Sequence, residues 1–296
     1  SVPRCFLDAE LQLSGSAANP VTKTALLNRY EVPAIANVRG SFTVDGNTIN
    51  VIADFMTYFD AENIKAYISV NEKTTTKNAS TNGETEFHHV MMKMLSGDEG
   101  KSINLKAGEY KRLEFSYNME YSFMEDINDL EVALWLQNYE TKEVYNSRFA
   151  YEYTEHCYPV QNLNAVEILD CTGAIEILWE APEKGNPIGY NVYVNNELVL
   201  ENTTELSYNT TSNDDVFFVE VVALYENDKT SVGVAKKYAY GDNIDEQHEI
   251  QCKVYPNPVD DRLYIETQTL TQTQTLTIEI YDIYGRLQDY KTTRLQ

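Results

Sequence analysis

The densest group of metal-binding side-chain types in this sequence is His88-His89, which Met91, Met92 and Met94 follow closely. Imidazole and thioether ligands together would suit copper. Adjacent residues on a β-strand point to opposite faces, however, so the two imidazoles of a strand would diverge. We therefore interpret the segment as a structural strand with one inward and one outward set of side chains.

The sequence contains few of the residues and motifs from which catalytic centres are usually formed. The other two histidines, His156 and His248, stand near predicted domain junctions, and the chain contains no G-x-S-x-G, P-loop or G-x-G-x-x-G motif. With four histidines and no convergent cluster, neither a zinc enzyme nor a catalytic triad is predicted. We expect a protein that is not an enzyme and carries no cofactor.

Three oxygen-rich segments could bind calcium, namely residues 125–129, 214–215 and 242–246. Calcium takes six to eight oxygen ligands, usually from such loops. None of the three matches the EF-hand pattern. We therefore favour solvated turns, with weak surface calcium binding as the alternative.

The composition limits the partners. Of 296 residues, 43% are hydrophobic, and the formal net charge is −23 from 46 acidic and 23 basic residues. This charge repels phosphate backbones and anionic lipid headgroups, so no nucleic-acid partner is expected. No apolar run approaches the roughly 20 residues of a spanning helix, so no membrane span is predicted. The length suits two or three domains.

The pattern of predicted strands begins after an N-terminal lead-in segment, residues 1–30. Residues 1–30 are interpreted as extended chain with one short helix over 20–30, where Pro20 stands at the helix start. A hairpin turn is predicted at Asp45-Gly46-Asn47, with a left-handed conformation at Gly46. Period-two alternation predicts strands over 64–70, 86–94, 111–117, 131–137 and 144–153, and an exposed loop over 72–84.

Residues 31–156 are predicted to form a first β-sandwich. Segments 87–94 (FHHVMMKM), 129–137 (DLEVALWLQ) and 142–145 (KEVY) make this region similar to the family related to the twenty-eight-kilodalton outer-membrane protein of Porphyromonas. In that family such a sandwich commonly follows a thioredoxin-like segment, which would make residues 1–30 the tail of one. No CxxC motif accompanies it, so no redox function is carried over.

Residues 157–241 form a second predicted unit. It has a strand over 175–182 that contains Trp179 and ends in a proline, a hairpin around Asn195-Asn196 and a late core strand over 217–225. The unit resembles a fibronectin type III domain, in which a tryptophan on the second strand packs beneath a tyrosine on the third. The resemblance implies that Trp179 and Tyr190 hold those places.

The last segment, residues 252–296, follows a polar linker over 242–251. It contains two motifs that combine an aromatic residue with turn-forming residues beside a predicted strand: Tyr255-Pro256-Asn257-Pro258, and Tyr281-Asp282 with Gly285-Arg286. Their order and spacing resemble the C-terminal sorting domain of the type IX (Por) secretion system of Bacteroidetes.

That resemblance implies an exported protein, with the type IX secretion machinery as a partner and the outer-membrane surface or the extracellular space as its destination. The family's domain continues beyond the Gly-Arg turn with further strands and a basic tail, so residues 252–296 are expected to be a truncated, partial sorting domain. No leader peptide is visible at Ser1, and we expect one to have been removed or to lie upstream.

The four cysteines are Cys5, Cys157, Cys171 and Cys252, an even count that in an exported protein suggests two disulfides with three connectivities. If residues 158–240 form a seven-strand sandwich, Cys171 lies at its first turn and Cys252 just past its exit, at the same pole. Cys5 and Cys157 would bracket the first domain. We predict the pairs Cys171–Cys252 and Cys5–Cys157.

The predicted fold class is all-β: tandem immunoglobulin-like and fibronectin type III-like sandwiches, followed by a partial β sorting domain. The predicted function is cell-surface binding, adhesin-like and without catalysis, in which loops at the poles of the sandwiches recognise an unidentified surface or host protein or glycan. Two alternative functions stay open. In the first, the chain is the accessory and sorting portion of a larger exported peptidase or thiol-redox enzyme. In the second, it is a structural surface component.

Overall fold

The computed structural model describes residues 22–32, 34–77, 83–152, 155–167, 174–211 and 216–239, with six further strands between residues 5 and 13 and between 252 and 294. These residues confirm an all-β protein, since they form 23 strands, one α-helix and two 3-10 turns. Within this part of the chain, no helix has the length and apolar character needed to cross a membrane. The chain divides into two compact units, residues 1–240 and 241–296.

The lead-in contains a short hairpin and the predicted helix. Strand β1 (Cys5–Leu7) pairs with β2 (Leu11–Leu13), and α1 spans Lys23–Tyr30. The helix begins after Thr22, whose side chain accepts a hydrogen bond from the Ala25 N–H at 3.1 Å and so satisfies a free donor of the first turn.

Nine strands form the first sandwich: β3 (Ala36–Asp45), β4 (Thr48–Thr57), β5 (Ala61–Thr75), β6 (Phe87–Met94), β7 (Lys101–Leu105), β8 (Tyr110–Asn118), β9 (Leu130–Asn138), β10 (Val144–Phe149) and β11 (Tyr151–Glu152). One sheet has the order β11-β3-β4-β8, and the other has the order β10-β9-β5-β6, with β7 also paired to β5. The inward apolar residues of both sheets, among them Phe55, Ile64 and Leu134, form one buried core. The predicted turn is confirmed, because Asp45 pairs with Thr48 and Gly46 has φ +58°.

Eight strands form the second sandwich: β12 (Gln161–Glu167), β13 (Ala174–Glu180), β14 (Gly189–Val194), β15 (Glu197–Thr203), β16 (Ser207–Thr211), β17 (Val216–Tyr225), β18 (Lys229–Thr230) and β19 (Val234–Ala239). Its sheets are β12-β13-β16 and β15-β14-β17, with β18 and β19 both paired to β17. Asn195 and Asn196 both have positive φ, as a two-residue hairpin turn requires.

The aromatic contact implied by the fibronectin-like resemblance is present in the second core. The rings of Trp179 and Tyr190 are 5.8 Å apart at 66°, an edge-to-face arrangement that aromatic pairs favour. Both residues are buried among Ile177, Val192 and Phe217. Trp179 is therefore a core residue of this sandwich.

The C-terminal unit contains four described strands, β20 (Cys252–Tyr255), β21 (Tyr264–Thr267), β22 (Thr275–Tyr281) and β23 (Leu287–Arg294). β20 pairs antiparallel with β21, and β22 pairs antiparallel with β23. The predicted linker over 242–251 lies outside the described residues.

Two sequence predictions were wrong in the first sandwich. The strand predicted over 144–153 changes sheets at Ala150, since β10 pairs with β9 whereas β11 pairs in parallel with β3 of the other sheet. The exposed loop predicted over 72–84 begins too early, because β5 continues to Thr75 and both Glu72 and Thr75 are buried. Strand β7 was not predicted at all.

Candidate recognition surfaces

One end of the first sandwich, here called the distal pole, consists of the β3–β4 turn, residues 76–77 after β5, and the β8–β9 connection of residues 119–129. The Met119 N–H donates to the Asn47 carbonyl at 2.8 Å and joins two of these segments. The opposite ends of β3, β4 and β8 contact the second sandwich, about 30 Å away at roughly 3.3 Å per strand residue. The distal pole is thus the end of the first sandwich that faces away from the second domain.

Short polar side chains shape the β8–β9 connection. Asn118 caps the 3-10 turn Met119–Tyr121 by accepting from the Glu120 N–H at 3.0 Å. Asp126 caps the second turn, Ile127–Asp129, by accepting from the Asn128 N–H at 2.9 Å. Asparagine and aspartate are preferred at such positions because their oxygens reach the free backbone donors.

A buried carboxylate holds the connection in place. Glu72 on β5 is 0% exposed and accepts hydrogen bonds from the Glu125 N–H at 2.9 Å and from the Asp126 N–H at 2.6 Å. Hydrogen bonds to an ionised acceptor are about twice as strong as neutral ones. Since a buried charge is costly without such partners, the backbone at residues 125–126 is fixed to β5.

Glu125 continues the network to the end of β5. Its carboxylate accepts from the backbone N–H groups of Thr76, at 3.0 Å, and Lys77, at 2.8 Å. The hydrogen bond from the Thr76 N–H is the main reason that the pKa of Glu125 lies below its ordinary value. The start of the β5–β6 segment is therefore held against the β8–β9 connection.

Two aromatic rings project from this fixed connection. Tyr121 is 78% exposed and Phe123 is 91% exposed, although the neighbouring Met119 is completely buried. Large exposed apolar side chains on ordered backbone are typical anchors of protein interfaces. Because the loop is already ordered, little conformational entropy would be lost on binding.

The second candidate surface is the junction between the two sandwiches, which lies on the outer face of the β11-β3-β4-β8 sheet. Arg39, Asp54 and Arg112 occupy neighbouring positions on β3, β4 and β8. Asp54 is completely buried and accepts two hydrogen bonds from Arg112, at 2.8 and 3.0 Å. From the second domain, the ring of Tyr158 lies 4.5 Å from the Arg112 guanidinium, and Glu183 accepts from Arg112 at 3.0 Å.

His156 attaches the interdomain segment to the same carboxylate. Its Nε2 lies 2.7 Å from Asp54 Oδ2, and its Nδ1 lies 2.9 Å from Ser41 Oγ. If Nε2 donates to the carboxylate, neutral imidazole leaves Nδ1 to accept from the serine hydroxyl. A hydrolytic serine must be reachable by its substrate, whereas Ser41 is only 3% exposed. The arrangement therefore positions the segment around residue 156 on the first sandwich.

A second buried carboxylate, Glu220 on β17, reaches toward the first sandwich. It accepts from the Tyr58 hydroxyl at 3.0 Å and, at 3.5 Å, from the Asn37 side-chain amide. Burial raises the pKa of Glu220, against the opposing effect of these hydrogen bonds and of the Arg39 charge. Burial likewise raises the pKa of Tyr58.

Backbone and apolar contacts close the junction beside these polar groups. The Ala235 N–H donates to the Gly108 carbonyl at 3.0 Å, which joins β19 to the β7–β8 turn. Gly108 has φ +78°, and a Cβ there would overlap the Ala235 carbonyl. Met56, Val232 and Ala235 form a small buried cluster across the junction. The two sandwiches accordingly belong to one compact unit.

The histidine pair does not have the predicted one-in, one-out geometry. Side chains of both His88 and His89 are mostly exposed, at 56% and 64%. His89 has φ +55°, which lies outside the extended backbone range, so the strand alternation of faces does not hold at this residue. The imidazoles have separate partners, Glu86 for His88 and Glu131 for His89.

The carboxylates of the acidic segment 125–129 accept hydrogen bonds from backbone N–H groups at the distal pole. Asp129, for example, accepts from the Thr74 N–H at 2.8 Å. Within the described ranges, no group of three or more His, Cys, Asp or Glu residues could hold a metal. Residues 214–215 and 242–246 lie outside those ranges. The weak-calcium alternative stays a prediction.

Only one cysteine side chain is described. Cys157 is a free thiol buried in the second core, and burial raises its pKa to about 11. This placement gives no support to the Cys5–Cys157 pair. The side chains of Cys5, Cys171 and Cys252 lie outside the described residues, so both predicted disulfides stay predictions.

The comparisons with known proteins concern the C-terminal segment and the overall fold. Residues 253–294 match the family model of the secretion system C-terminal sorting domain. Among the solved structures, HBP35 of Porphyromonas gingivalis is similar with 14% identity and a TM-score of 0.38, over 76% of this chain and 70% of that chain. This likeness is too weak to indicate a shared function. No curated protein matches the chain.

The sorting-domain match confirms the predicted secretion signal. It includes all eight predicted motif residues, of which Tyr255 ends β20 and Tyr281 ends β22. The others lie outside the described residues: Pro256, Asn257, Pro258, Asp282, Gly285 and Arg286. The protein is a type IX secretion cargo of Bacteroidetes, exported to the cell surface or the extracellular space.

Sequence reasoning missed the residues that form the two candidate surfaces. Tyr121 and Phe123 could have been noticed as aromatic residues within an acidic, turn-rich stretch. His156 was noted near a domain junction, but nothing local connects it with Asp54 or Ser41, which are 102 and 115 residues away. Nothing in the sequence near Glu220 or near Tyr58 predicts that these two residues pair.

Proposed function

We propose that this exported protein is a non-catalytic, adhesin-like binding protein that recognises its partner through the distal pole. The observation that carries the proposal is the pair of exposed rings, Tyr121 and Phe123, on a connection fixed by Glu72 and Glu125. The first sandwich, with its likeness to the outer-membrane-protein-related family, presents this pole. The fibronectin type III-like sandwich and the sorting domain connect it to the cell surface.

The chemistry of the pole indicates the kind of partner. Glu120, Glu125 and Asp126 surround the two aromatic residues in sequence, and the whole chain carries a net charge of −23. An apolar centre with an acidic rim complements a protein surface that has an apolar pocket and a basic rim, because opposite potentials steer association. A protein of the host or of a neighbouring cell fits this description.

The absence of catalysis is part of the proposal. The Ser41–His156–Asp54 chain contains the residue types of a hydrolytic triad, but all three residues are buried. Asp54 is moreover engaged by Arg112. These features support a role in joining the domains.

The test is binding of the fluorescently labelled protein to cultured epithelial cells and to cells of the producing bacterium that lack the gene. We expect saturable binding to one of them, at least tenfold weaker for the double variant Tyr121→Ser/Phe123→Ser. The matched control is Tyr30→Ser, which removes an aromatic residue that is 83% exposed far from the pole in sequence. Equal loss in the control, or no saturable binding to either cell type, would contradict the proposal.

The accessory-domain alternative is favoured by one observation, the buried ion pair and backbone contact that lock the two sandwiches together. A locked pair of sandwiches is a good spacer between an enzyme and its sorting signal. Intact mass with terminal peptide mapping of the native surface protein distinguishes the two functions. A catalytic domain found before Ser1 would favour the spacer.

A further inference from the structure

The junction contains a groove that neither sandwich forms alone. Its volume is about 260 Å³, and its lining includes Asn37, Arg39 and Tyr58 from the first sandwich and Tyr193, Asn196 and Glu220 from the second. Binding sites often lie in such clefts between domains. The groove is open to solvent, while the carboxylate at its base is nearly buried.

The carboxylate of Glu220 retains acceptor capacity on this groove. An ionised carboxylate offers about four lone-pair sites. In the described part of the chain, its donors are the Tyr58 hydroxyl, shared between both oxygens at 3.0 and 3.2 Å, and the Asn37 amide at 3.5 Å. A ligand hydroxyl could therefore donate to Glu220 without displacing a protein partner.

Arg39 retains donor capacity on the same groove. Its Nε donates to Thr230 Oγ1 at 3.1 Å, and its Nη1 donates to Asn37 Oδ1 and to the Val38 carbonyl. Among the described residues, its Nη2 has no hydrogen-bond partner, and neither has the side-chain amide of Asn196. Arg39 and Glu220 do not form an ion pair within 4.0 Å in these residues, so the two charges face the groove separately.

We propose that this groove binds a neutral saccharide. The formal charges of Arg39 and Glu220 cancel, so the lining favours neither an anion nor a cation. A sugar hydroxyl both donates and accepts, which matches the free acceptor on Glu220 and the free donors on Arg39 and Asn196. The tyrosine rings supply apolar surface for the C–H face of a sugar ring.

This site is independent of the distal pole. The groove lies at the opposite ends of β3 and β4, and the partner proposed for the pole is a protein. Failure of one proposal therefore leaves the other standing, and variants of the two surfaces serve as controls for one another.

The experiment is binding of the full chain to a microarray of defined neutral mono- to tetrasaccharides, followed by titration calorimetry with each positive sugar. Asn196→Gly is the cleanest variant, because glycine keeps the φ of +66° at this turn and removes only the side chain. Glu220→Gln replaces one acceptor by a donor. We expect each to weaken binding at least tenfold, with Tyr121→Ser/Phe123→Ser unchanged.

Three outcomes would overturn the proposal. Binding to no saccharide is the first. The second is saccharide binding that is unchanged in Asn196→Gly and Glu220→Gln while circular dichroism shows that both variants are folded. The third is binding of diglycine or inorganic phosphate, tested in the same calorimeter, in place of sugars, since the groove would then recognise a zwitterion or an anion.

Discussion

Asp54 and Arg112 form a two-pronged ion pair, with nitrogen–oxygen distances of 2.8 and 3.0 Å, at a carboxylate that no solvent reaches. The same carboxylate binds His156, and the same guanidinium lies under Tyr158 and binds Glu183. One pair of neighbouring residues on the first sandwich thus receives three contacts from the second domain and the segment before it.

Asp54→Asn is expected to destabilise the unit of residues 1–240 by roughly 3 kcal/mol, because removing one partner leaves the other charge buried without compensation. Chemical denaturation followed by circular dichroism measures the change. The control is Asp60→Asn, whose ion pair with Lys106 is exposed to solvent and should contribute nothing measurable. Equal effects of the two substitutions would show that the buried pair does not stabilise the junction.

Gly108→Ala is expected to separate the two sandwiches. The added Cβ would overlap the Ala235 carbonyl, and alanine is also strained at φ +78°. Gly97→Ala provides a matched control, since Gly97 has φ +82° but has open space around its Cβ position, so that only the backbone strain of about 1 kcal/mol applies. Calorimetry should show two unfolding transitions for Gly108→Ala and one for Gly97→Ala. A single transition in both would mean that Gly108 is not needed at the junction.

Glu220 should make the stability depend on pH in a direction opposite to that of an ordinary ion pair. Burial raises its pKa, so the stability that it contributes is fully present below the ordinary glutamate pKa and is lost as the pH rises through the folded value. Compared with Glu220→Gln, the wild type should therefore become less stable as the pH rises above the ordinary glutamate pKa. Urea denaturation of both proteins over a series of pH values measures the difference.

Glu125 provides the contrast, since the hydrogen bond from the Thr76 N–H lowers its pKa. Its contribution is present above the ordinary glutamate pKa and is lost as the pH falls. The wild type should thus lose stability relative to Glu125→Gln on acidification. If both variants showed the same slope, the assignment of Glu220 as a carboxyl destabilised by burial would be wrong.

Trp179→Ala is expected to destabilise the second sandwich by about 3–5 kcal/mol, because it removes a large buried ring and leaves a cavity. Trp135 is the other tryptophan of the chain and stacks on Tyr67 on the outer face of its sheet, with ring centroids 4.9 Å apart. Trp135→Ala should cost less, since its ring is only half-buried. Thermal melts of the two variants measure the two losses of stability. A neutral Trp179→Ala would contradict the packing of Trp179 beneath Tyr190.

The sequence by itself determined the features that depend on near neighbours along the chain. Period-two alternation predicted the all-β class, and the turn residues Gly46 and Asn195-Asn196 predicted hairpins whose positive φ values the structure has. Pro20 predicted a helix start close to the observed beginning of α1 at Lys23. The sorting motifs around Tyr255 and Tyr281 were likewise sufficient, because a secretion address is read from a short segment.

Only the tertiary structure decided which polar residues become buried and what they bind. Glu72, in a stretch predicted as a loop, is buried because backbone N–H groups 53 and 54 residues later satisfy its carboxylate. The groove unites Arg39 and Glu220, which are far apart in sequence and lie in different domains. A local pattern reports which residues can form a strand, whereas the burial of a charged side chain depends on distant partners that compensate its lost hydration.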